Sequence, residues 1–234
     1  MLLKEFRNHF SKQLSAVFPQ TEIDSFFFLL IEKELNLQRI DLAINHQLSI
    51  PEEKFKHLYN SLSRLKNQEP IQYILGETEF FGLPFKVNKH TLIPRPETEE
   101  LISWILSDLK DKSNVTSSEV EKSLSILEIG TGTGCIPISL AKNLPNATIK
   151  SIDVSTEALK IAKENAKLNN VKIEFIEEDI LTVENLNAIA NKMKQSQNND
   201  KITSSQTSRN DIQFDIIVSN PPYVRELEKE EIQP

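Results

Sequence analysis

The sequence predicts an α/β fold: an open parallel sheet behind a small all-helical bundle, with a β-hairpin linker between them. Three observations carry that prediction. The first seventy-odd residues place apolar side chains at three- and four-residue intervals with no alternating stretch. From Leu124 onward, short β-branched runs take turns with helical patterns, the signature of parallel strands joined by crossover helices. Three of the five glycines of the chain stand in one strand-to-helix turn, at Gly130, Gly132 and Gly134. The boundaries read as 1–75 for the bundle, 76–95 for the linker and 96–234 for the α/β domain.

Composition narrows the function classes. The chain has 234 residues, with 27 Lys and Arg against 34 Asp and Glu, a net charge of −7. That balance argues against a generic nucleic-acid binder that relies on neutralising phosphates. It is uneven: residues 1–75 carry 9 basic and 9 acidic side chains, so the acidic excess lies downstream. A single cysteine, Cys135, excludes an internal disulfide and fits a reducing compartment. The longest apolar run, Phe26 to Ile31, is too short to span a bilayer, and Lys4, Glu5 and Arg7 interrupt any signal-like leader. His9, His46, His57 and His90 have no partner at metal-ligand spacing, so no metal is expected. The expectation is a cytoplasmic monomer with no membrane contact.

The bundle reads as follows. Leu3, Phe6, Phe10, Leu14, Val17 and Phe18 lay an apolar stripe over 2–18, closed by Pro19. Thr21 with Asp24 resembles a capping box for a second helix from Ile23 to Leu35, apolar on most sides and ending near Asn36. A short helix is expected over Leu37 to Ile44, and Ser49 ahead of Pro51-Glu52-Glu53 opens another through Phe55, Leu58, Leu62 and Leu65.

Pro70 ends that pattern. Glu79-Phe80-Phe81 and Phe85-Lys86-Val87 flank Gly82-Leu83-Pro84, which reads as a hairpin turn. Pro94 and Pro96 then hold Arg95 in an extended segment, a natural pocket wall as well as a plain linker. Glu97 and Glu99 open a helix with Leu101, Ile102, Trp104, Ile105 and Leu109 on its apolar face. A polar, serine-rich loop follows over 110–123.

The strand from Leu124 to Ile129 runs into Gly130-Thr131-Gly132-Thr133-Gly134, and a helix follows from Ile136 to Leu144. Alternate glycines permit positive φ and let a ligand approach the backbone. The spacing misses the dinucleotide fingerprint, because the sixth place is Cys135, and no Lys-Ser/Thr pair makes a phosphate loop. Cys135 reads as a small apolar residue behind the loop. Asp153 ends a strand over Ala147 to Ile152, where open α/β sheets place the acid that binds ribose hydroxyls. After a helix over Thr156 to Leu168 and a strand over Val171 to Ile176 come Asp179 and Ile180. The acid there accepts from an adenine amino group while Ile180 covers the ring, or it caps a helix. A helix over 184–193 and a mobile polar insertion over 194–211 are expected next.

The last strand, Phe214 with Ile216, Ile217 and Val218, reads as buried on both faces and stops at Ser219-Asn220-Pro221-Pro222-Tyr223. Consecutive prolines stiffen the backbone and leave the Pro221 carbonyl and the Asn220 side-chain carbonyl to accept hydrogen bonds. Two acceptors on a planar –NH2 group turn its lone pair toward an electrophile, with the Tyr223 ring packed on the plane. The plain alternative is a Pro-rich turn leaving a core strand. Glycine loop, Asp153, Asp179 and Asn220 all fall at C-terminal strand ends, where such sheets bind ligands.

These motifs together resemble the HemK/PrmC family of S-adenosylmethionine-dependent glutamine methyltransferases. The likeness rests on Pro70 through Gly76, Phe80-Phe81-Gly82, Leu92 through Glu99, Leu127 through Gly134, Asp153 and Ser219 through Tyr223. It implies a Rossmann-like methyltransferase sheet and S-adenosylmethionine as cofactor. The implied substrate is the glutamine of the Gly-Gly-Gln motif in class I peptide-chain release factors, docked with help from the bundle. Position by position, it implies that Gly130, Thr131, Gly132, Thr133 and Gly134 line the methionine part, Asp153 holds the ribose, and Asp179 with Ile180 borders the adenine. Asn220 faces cofactor and substrate, Pro221, Pro222 and Tyr223 hold the amide, and Arg95 stands on the substrate side. Family members continue past this strand to a seven-stranded sheet. With the chain stopping at Pro234, the resemblance implies a C-terminally truncated sheet with an apolar edge. Two rival readings share some of these residues: an adenine-N6 nucleic-acid methyltransferase, which also uses Asn-Pro-Pro-Tyr, and a non-catalytic binding module on the same fold. Net charge and the lack of basic or aromatic stripes weigh against the first, and the combined motifs against the second.

Overall fold

The computed structural model describes residues 1–45, 47–113, 124–182 and 214–221. The expected helix over 184–193, the insertion over 194–211, His46, Pro222, Tyr223 and residues 224–234 lie outside them. The chain forms two compact units, Met1–Thr78 and Glu79–Pro234.

The first unit holds α1 (Leu3–Leu14), α2 (Gln20–Leu35), α3 (Arg39–Ile44), α4 (Glu52–Lys66) and α5 (Ile71–Leu75). Its core joins Phe6, Phe10 and Leu14 of α1 to Ile23, Phe27 and Ile31 of α2 and Leu58 and Leu65 of α4. Each such side chain is worth about 1.5–3 kcal/mol on burial. Several expectations need correction. Helix α1 stops at Leu14, because Val17 and Phe18 bond back to the Leu14 carbonyl in a turn. No side chain caps α2, which starts behind Pro19, and Asp24 pairs instead with Arg7 at 2.9 Å. Ser49 does not cap α4; it bridges Leu2 in an isolated antiparallel pair. Helix α5, unforeseen, sits between Pro70 and the left-handed Gly76 (φ +73°), the usual proline-before, glycine-after framing of a helix.

In the second unit the hairpin strands are β1 (Glu77–Phe80), which begins in the first unit, and β2 (Leu83–Lys86). The turn is the two residues Phe81 and Gly82, both at positive φ (51° and 70°), and Leu83 and Pro84 lie in β2, not in the turn. A pair of positive φ values matches the right-handed strand twist. Helix α6 spans Pro96–Ser113, into the segment read as loop. Ile102 is buried on it, but Trp104 is 67% exposed and does not belong to its apolar face.

Strands β3 (Ser125–Ile129), β4 (Thr148–Asp153), β5 (Glu174–Glu177) and β6 (Ile216–Ser219) form one sheet in the order β5-β4-β3-β6. All three pairings are parallel. Helix α7 (Cys135–Asn143) joins β3 to β4, and α8 (Thr156–Leu168) joins β4 to β5. The third strand is shorter than read, since residues 171–173 precede its ladder. Ile126 and Leu127 of β3 are both fully buried and belong to different clusters, as alternation across a sheet covered on both sides requires. β6 is less enclosed than read: Ile217 is 50% exposed, and among the described residues only β3 pairs with this strand. The order places β4 and β6 on opposite sides of β3, so the C-terminal ends of β3 and β6 flank the point where the winding reverses. That crevice is where open α/β sheets hold ligands.

Candidate active site

A cavity of about 530 Å³ occupies that crevice. Its floor is the turn after β3. Gly130 has φ +89° and Gly132 φ +53°, and a Cβ on either would meet nothing within 4 Å. The space over the loop is therefore open to a ligand that lies against bare backbone. Gly134 (φ +78°) is the N-cap of α7 and does not line the cavity; its Cβ position would fall 3.2 Å from Ala162 Cβ on α8.

Asp153, at the end of β4, borders the cavity. Its Oδ2 accepts from the Gly132 N–H at 2.8 Å and its Oδ1 from the Ser155 N–H at 2.9 Å. Each oxygen retains a lone pair for a further donor. Asp179 and Ile180 form part of the rim, and Asp179 Oδ1 accepts from the Leu181 N–H at 2.9 Å within a local turn. Asn220 enters from the end of β6, its Nδ2 donating to Thr98 Oγ1 at 2.8 Å, which leaves the side-chain carbonyl to act as an acceptor. Arg95 and Leu92 line the wall before α6, so the proline-framed segment does border a pocket. Pro221 is exposed and outside the lining.

Under the loop lies a polar chain that sequence reading did not foresee. Glu128, 1% exposed, accepts from the Ser151 hydroxyl, and Ser151 Oγ lies 2.6 Å from Thr131 Oγ1. Burial pushes the Glu128 carboxyl well above the carboxylate range; the Ser151 hydrogen bond pulls it back and the Asp153 charge raises it further. Cys135 packs against the core as read, but it also lines the cavity and so does not lie wholly behind the loop. Desolvation pushes its thiol up to about 12, so it is a poor nucleophile near neutrality.

Residues 5–76 match the PrmC N-terminal domain and residues 120–228 a methyltransferase domain. The chain is 49% identical over 232 residues to a release factor glutamine methyltransferase of Flavobacterium psychrophilum, covering 99% of this chain and 71% of that protein. It belongs to the release factor glutamine methyltransferase family. A second member, from Bacteroides thetaiotaomicron, is 33% identical over 95% of this chain and 68% of its own length. A third, from Streptococcus pneumoniae, is 33% identical over 99% and 70%.

Within this family frame, the geometry adds residues that the motifs did not mark. Thr98 was legible only as part of the Leu92 to Glu99 stretch, yet it is 6% exposed and bonded to Asn220. Thr91, which no motif marks, is 4% exposed and lines the cavity. Among the described residues no group of three or more His, Cys, Asp or Glu is placed to hold a metal, and no helix is long and apolar enough to cross a membrane.

Proposed function

We propose that the chain transfers a methyl group from S-adenosylmethionine to the side-chain amide nitrogen of the glutamine in the Gly-Gly-Gln motif of class I release factors. The observation that carries this reading is the meeting of the glycine loop and Asn220 in one cavity, across the reversal point of the sheet. The residues suit the cofactor: bare backbone at Gly130 and Gly132, a carboxylate at Asp153 and an apolar rim at Ile180. When bound, S-adenosylmethionine supplies an electrophilic methyl on a positively charged sulfur.

Gly130, Thr131, Gly132 and Thr133 hold the methionine part, with Gly134 seating the loop; Asp153 takes the ribose hydroxyls, and Asp179 with Ile180 the adenine. Asn220 Oδ1 and the Pro221 carbonyl accept the two amide hydrogens of the substrate, with Pro222 and Tyr223 completing the clamp and Arg95 on the substrate side. Held so, the nitrogen lone pair leaves conjugation and points at the methyl. That lone pair would take the methyl that S-adenosylmethionine bound here supplies, leaving a neutral thioether, and the amide nitrogen would lose its extra proton to water. Residues 1–75 dock the release factor, 76–95 connect, and 96–234 carry the transfer. A cytoplasmic monomer with no nucleic-acid or membrane partner fits this role.

Mass spectrometry of an unmodified release factor, incubated with the chain and S-adenosylmethionine, tests the proposal. One added methyl on the Gly-Gly-Gln glutamine is expected, with the rate reduced about a hundredfold or more in Asn220→Ala, the scale on which lost positioning acts. Methylation at another residue, or an unchanged rate in the variant, would sink it.

A further inference from the structure

Helix α8 and its C-cap carry two buried asparagines, Asn165 and Asn169, whose side chains reach the backbone of other elements. Asn165 is fully buried. Its Oδ1 accepts from the Lys86 N–H at 2.7 Å, and its Nδ2 donates to the Lys86 carbonyl at 3.0 Å and to the Thr133 carbonyl at 2.9 Å. These partners fix the orientation of the carboxamide, since an N–H has to meet the oxygen and the two carbonyls have to meet the amide hydrogens. One turn on, Asn169 is 4% exposed and donates to the Pro84 carbonyl at 2.9 Å and to the Asn165 carbonyl at 3.0 Å. Both hold the hairpin. Of the two, Asn165 alone is bonded to the glycine loop.

Lys86 leads to a wall of the cavity and Thr133 to its floor. Lys86 ends β2, and beyond it a turn, closed by the Thr91 N–H on the Asn88 carbonyl at 3.1 Å, delivers Thr91, Leu92 and Arg95 to the lining. Thr133 belongs to the loop that forms the floor. Asn165 is not itself in the lining. It is bonded at once to the strand that leads into one wall and to the loop that makes the floor.

We propose that Asn165 is a positioning residue that sets the spacing of this wall and the floor, and so the affinity of the cavity for its cofactor. The inference rests on the assignment of the cavity to S-adenosylmethionine. A buried polar network is useful only when every member is satisfied, and few side chains satisfy this one. Asp has no N–H for the two carbonyls, and Gln is longer by a methylene.

Calorimetric titration of S-adenosylhomocysteine into the chain, beside thermal melts, separates positioning from mere stability. Asn165→Asp is expected to bind about tenfold more weakly or worse, the scale of one or two lost hydrogen bonds. Asn169→Ala, which loosens the hairpin without touching the glycine loop, is expected to stay within about twofold of wild type even where its melting point falls as far. Where Asn165→Asp does not fold, Asn165→Ser, which replaces the carboxamide by a neutral hydroxyl and adds no charge, is titrated in its place. Equal losses in the Asn165 and Asn169 variants, or none in either, would overturn the inference while leaving the cofactor assignment standing. A wild-type chain that bound no S-adenosylhomocysteine would remove both.

Discussion

The two units bury different kinds of side chain. Among the described residues, Met1–Thr78 buries one polar side chain, Ser61, whose hydroxyl returns to the His57 carbonyl of its own helix at 3.0 Å. Glu79–Pro234 buries nine, from Thr91 to Asn169, and several bond to elements far away in sequence, as Asn220 with Thr98 and Asn165 with Lys86 do. Burying a polar group costs free energy unless it is bonded. A core that needs only to be stable therefore does well with phenylalanine and leucine. A core that must hold a loop of bare backbone and a set of acceptors at fixed spacing needs directional bonds. The difference teaches where to look for function: in the unit that spends polar groups inside.

If the first unit is held by its aromatic cluster, removing one ring gives the largest effect. Phe27 is 1% exposed, meets Phe10 edge-on at 5.7 Å and contacts Phe6 at 6.3 Å between centroids. Phe27→Ala leaves a cavity that α1 and α4 cannot close and is expected to cost about 3–5 kcal/mol, read as a fall in the urea midpoint. A loss below about 1 kcal/mol would mean that the site collapses freely and that the contrast between the units is overdrawn.

Glu128 sharpens the other side of the comparison through pH. Its folded-state carboxyl is raised by burial, so the folded chain binds that proton more tightly than the unfolded chain, whose carboxyl titrates near about 4.3. This contribution to stability is fully present below the unfolded value. It is lost as pH rises toward the folded one, at up to about 1.4 kcal/mol per pH unit for one proton. Glu128→Gln keeps a carbonyl for the Ser151 hydroxyl and has no proton to lose. Denaturation midpoints followed from about pH 4 to about pH 8 are expected to slope downward more in the wild type than in the variant. Parallel curves would show that Glu128 titrates normally in the folded chain.

What could be read in advance follows the same division. Helix α8 was legible to the residue, Thr156–Leu168, because Ser155 caps it, accepting from the Ala158 N–H, and Ala158, Leu159, Ala162 and Ala166 keep a helical period. The glycine loop, Asp153 and Asn220 were legible as a site because parallel topology sends all strand C-termini to one end. The hairpin turn was not. Phe81 adopts φ 51°, a strained choice for an aromatic residue, and its N–H is held by Glu99 Oε1 at 2.7 Å from another element. No local cue records such a partner. Trp104 failed for a related reason: a 3.6-residue period admits neighbours on the margin of a stripe, and only packing decides which of them is covered. Asn165 carried a faint signal, a polar residue on the inward stripe of an otherwise alanine-rich face, but its meaning depended on Lys86 and Thr133 arriving beside it.

Ser139 is the exception among the buried polar groups of the second unit and gives the smallest effect. It lies in α7, is fully buried, and its hydroxyl has no hydrogen-bond partner among the described residues. Its neighbours on that helix, Ile138 and Leu140, belong to the apolar core. If inward polar groups here persist because they bind something, Ser139 should be dispensable, since its hydroxyl bonds to none of the described residues. Ser139→Ala removes a desolvated hydroxyl and supplies the best helix former, so it is expected to raise stability by about 1 kcal/mol and to leave S-adenosylhomocysteine affinity unchanged. The measurement is a pair of denaturation curves with a titration on each protein. A destabilised Ser139→Ala would show that the hydroxyl has a partner after all, and that Ser139 is not an exception to the rule that buried polar groups here are bonded.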